Sequence, residues 1–122
     1  MAPRDRWLDA PLDAAWPPVR IETLRDNIAS KMTALVERGA PRDLRDIHQV
    51  CHRGLMTVDE CWTVYRAKNP SRSTRDAAAK VLHSIERLEM QRPLDTIQPA
   101  AQRHEAEAVR SWYRTVFCLH PT

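Results

Sequence analysis

The stretch 21–50 reads IETLRDNIASKMTALVERGAPRDLRDIHQV. Ile21, Leu24, Ile28, Met32 and Leu35 fall three or four residues apart, the spacing of one face of a helix. Gly39 follows as a natural C-cap, because glycine enters the left-handed region at no steric cost. Pro41 then suits the first turn of a second helix, where its missing N–H is not needed. Leu44, Ile47, Val50 and Cys51 share one side of that helix, and Gly54 closes it. The pattern predicts two consecutive amphipathic helices joined by a tight Gly-Ala-Pro turn.

Working outward, Thr57-x-x-Glu60 is a capping box that opens a third helix, from Val58 to about Ala67, and Asn69-Pro70 stops it. Ser73 or Thr74 caps a fourth helix with the stripe Ala78, Val81, Leu82, Ile85 and Leu88, running until Pro93. After a linker holding Pro93 and Pro99, a fifth helix carries Ala106, Val109, Trp112, Tyr113, Val116 and Phe117. The first twenty residues have no helical period and hold Pro3, Trp7, Pro11, Trp16, Pro17 and Pro18. They are expected to form an irregular arm (1–20) anchored by its aromatics, with Val19-Arg20-Ile21 as a short strand leading into the first helix. The fold expected is all-α: an irregular bundle of about five helices over 21–122, preceded by the Pro/Trp-rich arm.

Composition agrees. The 122 residues include only two glycines, too few for hairpins or phosphate-cradling loops, and 43% are hydrophobic, enough for a modest single-domain core. The formal charge of +3 is mildly basic and argues against a dedicated nucleic-acid binder. Three cysteines at no framework spacing fit a reducing cytoplasm better than a secreted disulfide scaffold. No apolar run approaches a membrane span, and the start of the sequence has no signal-peptide core.

The chemistry-bearing segment lies across the two consecutive helices. At about 100° per residue, Lys31 falls at the edge of the first apolar stripe and Asp43 falls inside the second. A carboxylate on a buried face is costly unless paired, so Asp43 requires a partner, with Lys31, Arg38 and Arg42 the near candidates. The simpler account is a structural salt bridge tying the helices together. The sharper one is a nucleotide-binding cleft in which the lysine neutralises phosphate charge and Asp43 or Asp46 orients a substrate group.

The run from about Val19 to Trp62 resembles the lysine helix and the following Arg-Asp-x-x-Asp helix of AbiEii-type nucleotidyltransferases, the toxins of abortive-infection toxin–antitoxin systems. The residues that carry the resemblance are Lys31, Ala34, Leu35 and Arg38, then Arg42-Asp43-x-x-Asp46-Ile47, with Gly54-Leu55 and Trp62 beyond. The resemblance implies nucleotidyl transfer from a nucleoside triphosphate with magnesium. It gives catalytic roles to Lys31, Asp43 and Asp46, and nucleotide contacts to Lys31, Arg38 and Arg42. It also implies a Gly-Ser that holds the triphosphate and an Asp-x-Asp pair that binds the metal ions. Neither occurs in these residues: Gly39 precedes Ala40, Gly54 precedes Leu55, and no two aspartates stand two apart. Arg45 also occupies a position where the family more often has an aromatic or aliphatic side chain. The expectation is a helical C-terminal module, inactive alone: the C-terminal piece of a larger or split enzyme, or else a remnant, with a catalytic half, an antitoxin or a second copy as partners. The alternative is a free-standing helical interaction domain whose Lys/Asp contact is structural.

Three other clusters carry side chains capable of binding. His48, Cys51, His52 and Cys61 offer potential zinc ligands, but Cys51 sits on the apolar stripe and buried free cysteines are ordinary core residues. No metal site is therefore expected. Arg66, Lys68, Arg72 and Arg75 form a basic run that suits RNA phosphates or, more simply, a solvated loop. Trp112, Tyr113 and Phe117 read as core, with partner docking second.

Overall fold

A computed structural model describes residues 19–119 of the chain. Five α-helices follow one another: α1 (Val19–Glu37), α2 (Pro41–His52), α3 (Val58–Lys68), α4 (Thr74–Gln91) and α5 (Ala100–Trp112). A 3-10 turn (Leu94–Thr96) interrupts the α4–α5 connection, and a π-helical turn (Tyr113–Phe117) ends α5. No strand occurs among the described residues, so the all-α reading holds. The arm lies outside the described residues except for its last two positions. These are already helical, so the short strand expected at Val19-Arg20-Ile21 is replaced by the first turn of α1. Val19 follows Pro17-Pro18 in sequence, and a proline pair readily precedes a helix start; with no partner strand among the described residues, three β-branched or charged residues have none there to hold them extended.

Local chemistry sets the boundaries. Gly39 adopts φ +60° and its N–H reaches the Ala34 carbonyl, ending α1 in a left-handed cap. Thr57 Oγ1 accepts from the Glu60 N–H (3.1 Å) while Glu60 Oε1 accepts from the Thr57 N–H (2.9 Å), the reciprocal box expected from the sequence. Ser73, not Thr74, caps α4, accepting from the Asp76 N–H.

Helix α1 is the centre of the bundle and packs against α2, α3 and α4. Ile28, Met32 and Leu35 of α1 meet Leu44 and Ile47 of α2, Trp62 and Tyr65 of α3, and Val81 and Ile85 of α4 in one core. The π-helical turn closes it. Tyr113 donates its hydroxyl to the Leu44 carbonyl, and Trp62 Nε1 donates to the Phe117 carbonyl at 3.0 Å. Trp62, Tyr113 and Phe117 are fully buried, in keeping with the core reading of the aromatic cluster, while Trp112 is half-buried. Val116 departs from the expected stripe and is 46% exposed. The wider i→i+5 turn, seen in the Cys118 N–H to Tyr113 carbonyl bond, holds an extra residue and rotates Val116 off the core face.

Candidate functional site

The α1–α2 turn brings the sequence-selected side chains together in two pairs. Asp43, 6% exposed, is gripped by Arg38: Nε donates to Oδ2 at 2.8 Å and Nη2 to Oδ1 at 2.7 Å. Oδ2 also accepts the Ala40 N–H at 3.0 Å. Ala40 has no side-chain acceptor to offer in return, so Asp43 alone supplies the cap of α2. Of the three candidate partners, the buried carboxylate takes Arg38, whose fork suits a carboxylate bidentately. Arg42 is exposed and contributes only a longer-range field at Asp43.

The second pair is Lys31 Nζ and Asp46 Oδ2, 3.4 Å apart, with side chains 41% and 38% exposed. Lys31 therefore meets Asp46 and not Asp43, which corrects the Lys31–Asp43 contact of the alternative reading. The two pairs differ in character. Arg38–Asp43 is a half-sealed clamp, whereas Lys31–Asp46 is open to solvent and free to exchange partners.

The hydrogen bonds from Arg38 hold the Asp43 carboxyl below its usual range, against the opposing effect of burial, with the Ala40 N–H adding to them. A carboxylate with a lowered folded pKa stabilises fully above its unfolded pKa of about 3.9 and loses that contribution as pH falls through the folded value. Asp43→Asn is thus expected to cost about 1–3 kcal/mol at pH 7, with the difference from wild type shrinking below about pH 4. Urea unfolding at pH 7 and pH 3 measures both; an equal difference at the two pH values would show that the charge of Asp43 contributes nothing.

The remaining candidates are dispersed. Arg72 pairs with Glu37 at 3.1 Å, and Arg66, Lys68 and Arg75 are exposed, so the basic run is a solvated face. Cys51 and Cys61 are free thiols with Sγ atoms 3.7 Å apart, and His48 stacks edge-on against Trp112 with ring centroids 5.0 Å apart. Among the described residues, no three histidine, cysteine or acidic side chains converge as a metal site. Nor do the carboxylates of this segment fit a pair of magnesium ions. Asp43 gives both oxygens to Arg38, and Asp46 gives one to Lys31.

The sequence reading missed a groove of about 370 Å³ between α2, α4 and α5, walled in part by Arg45, Arg92 and Arg110. Arg110 is 4% exposed. Its signal was present in the sequence: Arg110 stands four residues after Ala106 and three before Tyr113, on the apolar face of α5.

The family model for the AbiEii nucleotidyl transferase toxin of type IV toxin–antitoxin systems matches residues 2–114. This chain belongs to the AbiEii family. The match takes in both ion pairs, the capped turn between them and nearly all of the bundle. No curated protein and no solved structure matches the chain. No helix among the described residues is long and apolar enough to cross a membrane.

Proposed function

We propose that this chain is the helical C-terminal module of an AbiEii-type nucleotidyltransferase toxin, facing the nucleotide through Lys31, Arg38 and Arg42 and inactive by itself. The observation that carries this reading is the solvent-open Lys31–Asp46 pair, set on α1 and α2 beside a turn that the Arg38–Asp43 clamp locks. A phosphate approaching Lys31 would exchange one anionic partner for another, and Asp46, once released, would accept a hydrogen bond from a substrate hydroxyl or amino group. Transfer itself requires the Gly-Ser and Asp-x-Asp elements, which these 122 residues do not contain. They would come from a catalytic half, in a larger chain or on a second polypeptide of the same cytoplasm, whose activity an antitoxin restrains. Magnesium and the triphosphate would be held mainly by that half.

The test is transfer from labelled nucleoside triphosphates with magnesium, by the chain alone and in complex with an AbiEii-type catalytic half that carries Gly-Ser and Asp-x-Asp. No transfer is expected from the chain alone. In the complex, Lys31→Ala should lower the rate by about 100-fold or more, the usual cost of removing a charge-stabilising donor. The same variant should keep the unfolding midpoint of the isolated chain, because an exposed ion pair contributes only about 0–1 kcal/mol. Transfer by the isolated chain, or a complex indifferent to Lys31→Ala, overturns the proposal.

A second reading, a free-standing helical interaction domain, is favoured by the saturation of Asp43, whose two oxygens already serve Arg38 and the α2 cap. Under it, Lys31→Ala changes neither nucleotide binding nor fold.

A further inference from the structure

The groove between α2, α4 and α5 joins an apolar surface to a cationic one. Its floor is apolar, formed by Leu44, Ile85, Leu88, Ile97 and Val109, while its wall carries three arginines against one carboxylate, Glu105. Arg110 is the most constrained of these. Its Nη2 donates to the Arg92 carbonyl at 2.9 Å, but Nε and Nη1 are buried and have no acceptor among the described residues. No carboxylate lies within ion-pair distance of it among those residues; Glu89, the nearest in effect, is paired with Arg114, and burial lowers the Arg110 pKa against the opposing field of Glu89. A guanidinium keeps its charge in a protein, so two nitrogens of a buried cation, with three N–H groups between them, stand unsatisfied, a costly arrangement.

The rim supplies the rest. Arg45, Arg92 and Gln102 are exposed and make no side-chain hydrogen bond or ion pair among the described residues, so they are free to part and to close over an entering group. A phosphate has the oxygens to serve three guanidinium groups, and arginine matches it bidentately. The apolar floor takes a planar or aliphatic body. At about 370 Å³ the groove lies at the small end of ligand pockets, large enough for a mononucleotide and too small for a duplex or a folded partner.

We propose that this groove is a binding site for a phosphate monoester of mononucleotide size, its phosphate held by Arg110, Arg92 and Arg45 and its body laid on Leu88, Ile97 and Val109. The site is separate from the Lys31–Asp46 pair and does not depend on the nucleotidyltransferase reading.

The experiment uses the whole chain, with adenosine monophosphate, adenosine and inorganic phosphate as probes, read by calorimetry and by thermal shift. Adenosine monophosphate is expected to bind and raise the melting temperature, and adenosine to do neither. Arg92→Gln and Arg45→Gln, both on the surface, should each weaken its binding by about tenfold or more, the loss of a charge-assisted hydrogen bond. Arg110→Met should abolish binding while leaving the melting temperature of the free chain unchanged or higher, since an unpaired buried charge is removed. If that variant fails to fold, the two surface variants decide. Unchanged affinity in both, no binding of adenosine monophosphate, or equal binding of inorganic phosphate overturns the proposal. So does binding of a glutamate-rich peptide where the nucleotide fails, which would mark a protein-docking groove.

Discussion

Replacing Gly39 by alanine is expected to destabilise the protein by about 2–5 kcal/mol, a loss read as a fall of roughly 10–20 °C in melting temperature. Two causes add. Gly39 sits at φ +60°, where a side chain costs about 1–2 kcal/mol. A Cβ there would also stand 2.0 Å from Ser84 Oγ and 2.6 Å from Ser84 Cβ, so α4 must retreat from the turn. Arg87 donates to the Arg38 carbonyl and to Ser84 Oγ at the same seam, so the retreat also breaks the tie between α4 and the end of α1. Ser84→Ala in the same background tests the cause. It removes the hydroxyl but leaves the left-handed backbone, and so should recover only part of the loss. A fall of less than about 1 kcal/mol for Gly39→Ala would mean that α4 does not seat against this turn.

Trp62→Ala is expected to cost about 3–5 kcal/mol, a large share of the roughly 6–18 kcal/mol available to 122 residues. The indole is fully buried, its ring 4.9 Å from Phe117 and 5.9 Å from Tyr65, and its N–H satisfies the Phe117 carbonyl at the end of the π-helical turn. Trp62→Phe separates packing from polarity: it keeps most of the ring volume but leaves that carbonyl unsatisfied, at a cost of about 1–3 kcal/mol. Chemical denaturation of both variants gives the comparison. Equal losses would assign the whole effect to the hydrogen bond, and a negligible loss in Trp62→Phe would assign it to the ring.

Much of this molecule was legible before any coordinates. The periodicity of Ile28, Met32 and Leu35, the capping chemistry of Thr57 and Glu60, and the stops at Gly39 and Asn69-Pro70 are local signals, and each element they predict is present. The need of Asp43 for a partner was also legible, because a carboxylate on an apolar face is a conflict visible in the helix period alone. What stayed hidden was which cation meets it. Lys31, Arg38 and Arg42 all lie within reach in sequence, and only the angle of the turn at Gly39-Ala40 directs Arg38 to Asp43 and Lys31 to Asp46. Val116 and the π-helical turn were hidden for a related reason: one extra residue in a turn is decided by what the turn packs on, here Trp62 of α3 and the Leu44 carbonyl of α2, and not by the residues of the turn alone.

By itself, then, the sequence determined an all-helical chain with five amphipathic segments and the family to which its lysine and Arg-Asp-x-x-Asp helices belong. Those properties rest on periods and motifs that span a few turns. Only the tertiary structure decided the pairing of charges and the existence of the arginine-walled groove. Arg45 lies on α2, Arg92 just past the end of α4 and Arg110 on α5, and their convergence over an apolar floor depends on how α2, α4 and α5 cross. Helix crossing is set by side-chain packing between distant segments, which no local pattern encodes.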